Sequence, residues 1–297
     1  MSDSAKMLTL RPIDRKHQGA MPDATTNASL ALSPKHPGPA VVEIDERLFV
    51  ASVGKAMKVL ETFDKTTASL SLSDIAIRTG LGRSASQRFI YTLERLGYLD
   101  RDEQTKRYTL AKKVFRFAQS VVSSNTALDA AYPAMRELAE QTRETISWVE
   151  VDRADIVIIA TIASTHISSI NLPIGTRFPA LSSSSGQVLL GHSAPAHIEK
   201  VWNASHESVP MRTQAKNAAE MMRILEAVKA EGFAVTEKNM EQGSISVSAA
   251  VHDRAGRAVG AINLSTLTTR FERPAAIRDL APLVAAAAAR ATETLSA

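Results

Sequence analysis

A run of four serines has the composition of an anion-binding loop. Ser182 to Ser185 precede Gly186 and the start of an apolar helical pattern. Hydroxyls and backbone N–H groups converge at the positive end of a helix, where a carboxylate is stabilised. The run predicts either a carboxylate site, with Ser183, Ser184, Ser185 and Gly186 as candidate ligand residues, or a plain capped loop.

Small polar residues also alternate with apolar ones in two later segments. These are Ser244-Ile245-Ser246-Val247-Ser248 and Ile262-Asn263-Leu264-Ser265, separated by a turn at 253–256. A period of two predicts strands, and the turn predicts that they form a hairpin. The shared polar face indicates either a pocket or a wet surface.

The register of this hairpin follows from the position of the turn. A turn centred on 254–255 places Ser246 opposite Asn263 and Ser244 opposite Ser265. All four are therefore candidate ligand residues. Trp148 or Phe178 is expected to supply an apolar wall for a ring, although a lone Trp in a strand is more often a core residue.

A second polar set lies on one side of a helical pattern that ends near Leu96. Ala85, Phe89 and Leu93 recur on one face and are expected to point inward with Leu96. The outer residues are suited to base edges and phosphates. They are Arg83, Ser84, Ser86, Gln87, Arg88 and Tyr91.

Two shorter helices are expected before this one. The first begins near Ser52 and its expected core face is Val53, Ala56, Met57, Leu60 and Phe63. Ser71 and Asp74 then have the spacing of a capping box, and Gly80 marks the helix end. Ser84 and Gln87 repeat the cap spacing at the start of the third helix.

A hairpin with a charged tip follows the helices. Residues 97–99 and 107–110 read as strands around a polar turn, with Arg101, Lys106 and Arg107 as basic groups. Three helices and such a hairpin predict a winged helix-turn-helix, whose third helix enters the DNA major groove. An ordinary three-helix face with solvated charges is the alternative.

Charge is divided unevenly along the chain. The net charge is +4 overall, with +6 in residues 46–124 and −2 in residues 125–297. A basic module joined to a slightly acidic one predicts that the first meets a polyanion. Chance surface charge is the alternative.

A linking helix is expected over Lys112 to Val122, with an apolar stripe of Val114, Phe115, Ala118 and Val122. One recognition helix reads only a few base pairs, so we expect a homodimer with this helix as the contact. The stripe packing within a single chain is the alternative.

The remaining sequence predicts a mixed α+β domain. Helices are expected at 129–142, 185–190, 195–202, 216–231 and from Pro274, and strands at 146–151, 156–162, 166–172, 233–236, 244–252 and 259–265. The domain prediction is a disordered arm (1–45), a winged helix-turn-helix (46–110), a linker helix (111–125) and a ligand-binding domain (126–297).

Composition excludes several classes of protein. The chain has 297 residues, 44% apolar and 22% charged, and no cysteine, as in ordinary globular proteins without disulfides or thiolate sites. No stretch is long enough to span a bilayer and no signal peptide is visible. We therefore expect a cytoplasmic protein with no membrane partner.

An enzyme remains the main rival. The chain has no Gly-x-Ser-x-Gly elbow or His-Glu-x-x-His helix, and its 7 histidines show no metal-ligand spacing, His192 and His197 being expected on a helix surface. We predict no catalytic residue, metal or cofactor. A serine hydrolase acting on a small acid, or a sensor without DNA binding, are the alternatives.

These motifs resemble the IclR family of bacterial transcriptional regulators over about residues 50 to 290. The matching segments are 72–76 with 79–81, 96–99, 172–175 and 253–259. Residues 237–247 and 261–266 are most similar to the branch that controls aromatic-acid catabolism through protocatechuate, hydroxybenzoate and the β-ketoadipate route.

The resemblance implies a dimer, often a dimer of dimers, that binds operator DNA. It implies a C-terminal domain with a curved antiparallel sheet, GAF- or PAS-like, that holds a small organic-acid effector. The matching effector positions are Ser183 to Ser185, Glu237, Ser244, Ser246, Asn263 and Ser265. Gly243 is followed by Ser-Ile-Ser instead of the Leu-Arg-Ser of that branch, so no effector-binding arginine is carried over.

Overall fold

The computed structural model describes residues 45–64, 66–206, 213, 215–237 and 243–297. Residues 1–44 of the expected arm lie outside the described residues. So do residues 238–242 of the segment that resembles the aromatic-acid branch.

The N-terminal part is a winged helix-turn-helix, as predicted. Its elements are α1 (Ala51–Leu60), α2 (Leu72–Thr79), α3 (Arg83–Arg95), β1 (Leu99–Arg101) and β2 (Tyr108–Leu110). The helices pack around a small core that includes Val59, Ile75 and Ile90. The predicted face of α1 is correct for Leu60 and Phe63, which pack against this core, and wrong for Val53 and Met57, which are 57% and 48% exposed while Val59 is buried.

A linking helix follows the wing. A 3₁₀ turn (Lys112–Val114) leads into α4 (Phe115–Ser123), which contains no buried residue. Lys113 donates to the Leu96 carbonyl at 2.8 Å, and the Phe117 ring stacks on Tyr98 with 5.8 Å between centroids. These contacts hold the start of α4 against the wing.

The C-terminal part is built on a six-stranded antiparallel sheet in the order β5-β4-β3-β8-β7-β6. Its strands are β3 (Thr145–Asp152), β4 (Asp155–Ile162), β5 (Arg177–Pro179), β6 (Ala234–Glu237), β7 (Ser244–His252) and β8 (Ala258–Leu267). Helices and an antiparallel sheet in one domain confirm the α+β prediction.

Helices cover both faces of this sheet. They are α5 (Thr126–Thr142), α6 (Ser184–Leu190), α7 (Pro195–His206), α8 (Ala218–Glu231), α9 (Arg273–Ala275) and, after a π-helical segment (Ala276–Leu280), α10 (Ala281–Ser296). One core joins α5 and α10 to Trp148, Ile245 and Leu264. The other joins α6, α7 and α8 to residues such as Val149 and Ile158.

Two predicted elements differ from the structure. The strand expected at 166–172 is irregular, and the short edge strand Arg177–Pro179 pairs with β4 instead. The Thr145 hydroxyl, which donates to the Ile170 carbonyl at 2.8 Å, holds that irregular segment in place of a strand ladder. The helix expected from Asp129 starts at Thr126, because the Asn125 side chain caps it.

Within the described part of the chain, no helix is both long and apolar enough to cross a membrane.

Candidate nucleic-acid interface and effector site

Local capping fixes the geometry of the helix-turn-helix. Ser71 Oγ accepts from the Asp74 backbone N–H at 3.2 Å, and Asp74 Oδ2 accepts from the Ser71 N–H at 2.9 Å. Gly80 ends α2 at φ +68, which favours glycine. The short turn at 80–82 then sets the direction of α3, as the sequence predicted.

The buried face of α3 differs from the predicted one. The helix begins at Arg83 with Gly82 as its cap, one residue before the expected start at Ser84. Leu93 is buried and Phe89 packs against the core as predicted, but Ser86 and Ile90 are also fully buried and Leu96 is 52% exposed. The prediction of Ser86 as a DNA-facing residue is therefore wrong, since the inward stripe runs one position later than the Ala85–Phe89 spacing suggested.

The other residues predicted on the outer face line a groove between α3 and the wing. The groove has a volume of about 590 Å³ and includes Arg83, Ser84, Gln87, Arg88, Tyr91, Arg101 and Lys106. Arg101 lies over the Tyr108 ring, 5.7 Å from its centroid. Cationic and hydrogen-bonding groups from two elements therefore share one concave surface, which is suited to a nucleic-acid backbone and base edges.

The wing tip is held by Asp102. Its carboxylate accepts from the Gln104 and Thr105 backbone N–H groups, at 3.0 and 2.6 Å. The Thr105 backbone and side-chain bonds are the largest causes that keep the pKa of Asp102 below its usual value. Lys106 follows at φ +57 with an exposed ammonium 3.2 Å from Glu103.

Arg107 is placed differently from the other predicted DNA-facing residues. Its guanidinium donates to the Ser69 carbonyl at 2.7 Å and to Asp74 Oδ2 at 3.3 Å. These bonds tie the wing to the start of α2. Arg107 thus anchors the wing and lies outside the set that lines the groove.

The candidate effector site is a buried cluster of small polar side chains between α6 and the sheet. Ser248 is its centre, because its hydroxyl bonds Ser184 Oγ at 2.8 Å, Ser185 Oγ at 2.9 Å and Asn263 Oδ1 at 3.0 Å. Asn263 also donates to Ser265 Oγ at 2.9 Å. We name this set, with Ser246, the serine cluster: Ser184, Ser185, Ser246, Ser248, Asn263 and Ser265.

The register of the β7–β8 hairpin differs from the predicted one by two residues. Ser246 pairs with Ser265 and Ser248 pairs with Asn263, while Ser244 lies opposite Leu267. The turn is longer than predicted, because the Asp253 N–H bonds the Arg257 carbonyl and a register shift follows Val251. A shift of two residues preserves the face, so the predicted polar face is retained.

Every member of the serine cluster is at most 2% exposed. In this conformation the hydroxyls bond one another, as buried polar groups must. Ser147 extends the same face on β3, with its hydroxyl 3.2 Å from Thr161 Oγ1. Any ligand that enters must replace these hydrogen bonds with its own.

Ser183 and Gly186 have structural roles at the start of α6. Ser183 Oγ accepts from the Gly186 N–H at 2.9 Å and donates to the Ala180 carbonyl at 3.0 Å. A Cβ at Gly186 would lie 2.0 Å from the Ala180 oxygen. Glycine therefore allows α6 to approach residue 180 closely and sets Ser184 and Ser185 against β7.

Two predicted effector residues lie on the opposite face of the sheet from the serine cluster. Trp148 is fully buried against α5 and α10, and its Nε1 donates to Glu150 at 2.7 Å. Glu237 pairs with Ile245, whose side chain belongs to that same core, and it lines a groove with Arg273. Both assignments are corrected, because strand alternation sends their side chains away from the cluster.

Phe178 and Ser244 lie outside the serine cluster. Phe178 is half-buried on the edge strand β5 and packs into the core beside α7 and α8. Ser244 is buried at the start of β7. The structure brings neither into the hydrogen-bonded centre around Ser248.

Sequence reasoning missed the Ser248 centre and a buried ion pair. Arg270 donates to both oxygens of Glu144, at 2.6 and 2.7 Å, and Thr266 donates to one of them at 2.8 Å. The side-chain bond to Glu144 raises the pKa of Arg270. Ser248 was visible as the third serine of an alternating run, whereas residues 126 apart give no local signal.

Two family descriptions match separate parts of the chain. The IclR helix-turn-helix domain matches residues 52–103, and the C-terminal domain of the bacterial transcriptional regulator IclR matches residues 119–292. Together they cover the helix-turn-helix, the first strand of the wing and the six-stranded sheet.

Curated relatives align over most of their length. The chain is 26% identical over 275 residues to the Pca regulon regulatory protein of Pseudomonas putida, covering 90% of this chain and 92% of that protein. It is 28% identical over 248 residues to the p-hydroxybenzoate hydroxylase transcriptional activator of Acinetobacter baylyi, covering 82% and 90%.

Solved structures share the fold. An IclR transcriptional regulator from Alicyclobacillus acidocaldarius superposes with a TM-score of 0.70 at 21% identity, covering 84% of this chain and 100% of that one. An IclR homologue from Microbacterium hydrocarbonoxydans, complexed with 4-hydroxybenzoate, gives 0.69 at 18% identity, covering 82% and 98%. This chain belongs to the IclR family of bacterial transcriptional regulators.

Proposed function

We propose that the chain binds duplex operator DNA by inserting α3 into the major groove, with the wing against the phosphates. The observation that carries this proposal is the groove shared by Gln87 and Arg88 on α3 and by Arg101 and Lys106 on the wing. Gln and Arg side chains form bidentate bonds with adenine and guanine edges. Basic wing residues add sequence-independent affinity.

A gel shift with the DNA upstream of the regulated operon tests this part of the proposal. Wild-type protein is expected to retard that duplex and to be competed poorly by a scrambled one. Equal competition by both duplexes would contradict sequence-specific binding.

The serine cluster is the proposed site for a small organic acid, with an aromatic carboxylate as the expected effector. The cluster supports this role because its hydroxyls and amide are buried, and a hydrogen bond to a ligand is stronger in the low dielectric of the interior than in water. Two relatives are named for the Pca regulon and for p-hydroxybenzoate hydroxylase, which favours aromatic acids.

Entry of the acid provides a route to regulation. Ser184 and Ser185 on α6 bond Ser248 on β7, so a ligand that takes these bonds separates the helix from the strand. We expect this displacement to alter operator affinity. Repression and activation are both compatible with such a change.

Calorimetry of the full chain distinguishes the effector classes. Titration with 4-hydroxybenzoate, with a β-ketoadipate-type acid and with a short keto acid is expected to give heat for an aromatic acid. Ser184→Leu or Ser246→Leu should abolish that signal while operator affinity is kept. No binding of any acid would remove the sensor role, and binding of a keto acid alone would remove the aromatic one.

The active species is proposed to be a homodimer, in which two copies of α3 read paired half-sites. The exposed apolar side chains of α4 support this arrangement, since Phe115 is 76% and Val121 59% exposed. A dimer of dimers would use further surfaces. The regulator is proposed to act in the cytoplasm, where its operator lies.

We further propose that the chain acts without catalysis. A serine hydrolase needs a base beside its nucleophile. In the serine cluster, the hydroxyls of Ser184 and Ser185 bond Ser248 instead of an imidazole or carboxylate. Hydrolysis of ester analogues of the bound acid by the purified protein would contradict this proposal.

A further inference from the structure

Two histidines that are distant in sequence meet at the C-terminal end of strand β7. His192 follows the end of α6, and His252 is the last residue of β7. Their Nε2 atoms are 3.2 Å apart and their rings are inclined at 68°. Spacing along the chain gave no sign of this pair, because 60 residues separate its members.

The surroundings favour neutral imidazoles. Partial desolvation by neighbouring groups is the largest cause that lowers the pKa of His192, and His252 and Lys229 add to the effect. Burial also lowers the pKa of His252, against the opposing charge of Asp253. The Asp253 carboxylate is engaged by Arg257, with distances of 2.7 and 2.8 Å.

We propose that the Nε2 atoms of His192 and His252 chelate one divalent transition-metal ion of the zinc, nickel and copper class. Metal–nitrogen bonds of about 2.0–2.1 Å place two ligands of one tetrahedral ion about 3.3–3.4 Å apart. The observed distance of 3.2 Å between the two Nε2 atoms is within about 0.2 Å of this range. Imidazole nitrogen is the donor that these metals prefer among side chains that carry no sulfur.

Binding requires a change of tautomer and a rotation of the rings that turns both Nε2 lone pairs toward one point. In the hydrogen-bonded pair, one ring donates Nε2–H to the other, and the donor ring must move this proton to its Nδ1 before both Nε2 atoms can ligate. No group of three or more His, Cys, Asp or Glu side chains able to hold a metal is present among the described residues. Water therefore completes the coordination.

The location gives the ion a structural consequence. His192 lies just beyond the helix that carries Ser184, and His252 ends the strand that carries Ser248. A bound ion would fasten the chain after α6 to the last residue of β7, eight residues beyond Ser184 and four beyond Ser248. It would stabilise the arrangement in which α6 is hydrogen-bonded to β7.

The test is calorimetry of the full-length, tag-free protein with Zn²⁺ alone and, separately, with Ni²⁺ alone. Wild type is expected to bind one more metal ion per chain than His192→Gln, His252→Gln or the variant with both changes. His197→Gln, which changes an exposed histidine outside the pair, is the control and should bind metal as wild type does. Circular dichroism and operator binding confirm that each variant folds. Because His192 is exposed, His192→Gln keeps the test valid if His252→Gln fails to fold.

Two results would overturn the proposal. One is unchanged stoichiometry and affinity in His192→Gln, which would place the metal on the other histidines. The other is the absence of any binding by wild type. The result that supports the site is the loss of one bound metal ion in His192→Gln while this variant still binds the organic acid and the operator with wild-type affinity. That result would support the metal site independently of the proposed effector.

Discussion

Ser184 and Ser248 lie 64 residues apart in the sequence and share a hydrogen bond of 2.8 Å between α6 and β7. Both side chains are fully buried. Ser248 also bonds Ser185 and Asn263, so one hydroxyl joins a helix to two strands. This arrangement makes the serine cluster both a structural element and the proposed place where a ligand acts.

Replacement of Ser248 by Ala should destabilise the C-terminal domain. The change leaves Ser184, Ser185 and Asn263 without their common partner, at a cost of about 1–3 kcal/mol in the free energy of unfolding. Urea denaturation measures this loss, and Ser168→Ala at an exposed serine is the control. Equal midpoints for the two variants would show that the Ser248 bonds contribute nothing to stability.

The buried ion pair should matter far more than an exposed one. Glu144 is 1% exposed and accepts two bonds from Arg270, whereas Arg136 and Glu140 are 64% and 71% exposed. Arg270→Met leaves the buried Glu144 carboxylate without its guanidinium, although Thr266 still donates to it, and should cost about 3 kcal/mol. Arg136→Met should cost under about 1 kcal/mol. Similar unfolding free energies for both variants would contradict this account.

Acid should weaken the DNA-binding domain through Asp64. The Thr66 hydroxyl is the largest cause that lowers the pKa of Asp64 from 3.8 to about 2, and backbone N–H groups add to it. Because the pKa of Asp64 is lower in the folded protein than in the unfolded chain, its carboxylate stabilises the folded state above about pH 4. This stabilisation is lost as the pH falls toward about 2.

Asp64→Asn should therefore lower the melting temperature at pH 7 and reduce its fall between pH 4 and pH 2. Thermal unfolding followed by circular dichroism measures both effects. Glu140→Gln removes an exposed carboxylate and is the control. If the melting temperature of Asp64→Asn fell as steeply between pH 4 and pH 2 as that of wild type, Asp64 would not contribute to the acid sensitivity.

The exposed apolar face of α4 should hold the dimer together. The double variant Phe115→Ser/Val122→Ser is expected to halve the mass measured by analytical ultracentrifugation at micromolar concentration, because it removes apolar contact area from one face of α4. Ile174→Ser changes an apolar residue that is 66% exposed elsewhere and should leave the mass unchanged. A dimeric double variant, or a monomeric wild type, would exclude α4 as the contact.

Local signals in the sequence predicted local structure well. The capping pair Ser71 and Asp74, the stop at Gly80 and the alternation of β7 each depend on residues a few positions apart. They were sufficient to predict the winged helix-turn-helix and the polar face of the hairpin.

Features that depend on three-dimensional packing could not be predicted in this way. The sequence predicts an outward Ser86 because a short helix allows two neighbouring stripes, and packing against the core selects one of them. The size of Trp148 suits contact with a ligand ring, but its side chain packs in the core on the other face of the sheet. The main partners of Glu144 and His192 lie 126 and 60 residues away in the sequence and leave no periodic trace.

Recognition of operator DNA by α3 is the central claim, and fluorescence anisotropy with a labelled operator duplex tests it most directly. The double variant Gln87→Ala/Arg88→Ala should lose about 1–3 kcal/mol of binding free energy on the operator and little on scrambled DNA. Lys106→Ala should weaken both and reduce the salt slope by about one. Arg223→Ala, a change of equal charge on α8, should bind as wild type. Unchanged operator affinity in the double variant would contradict the account.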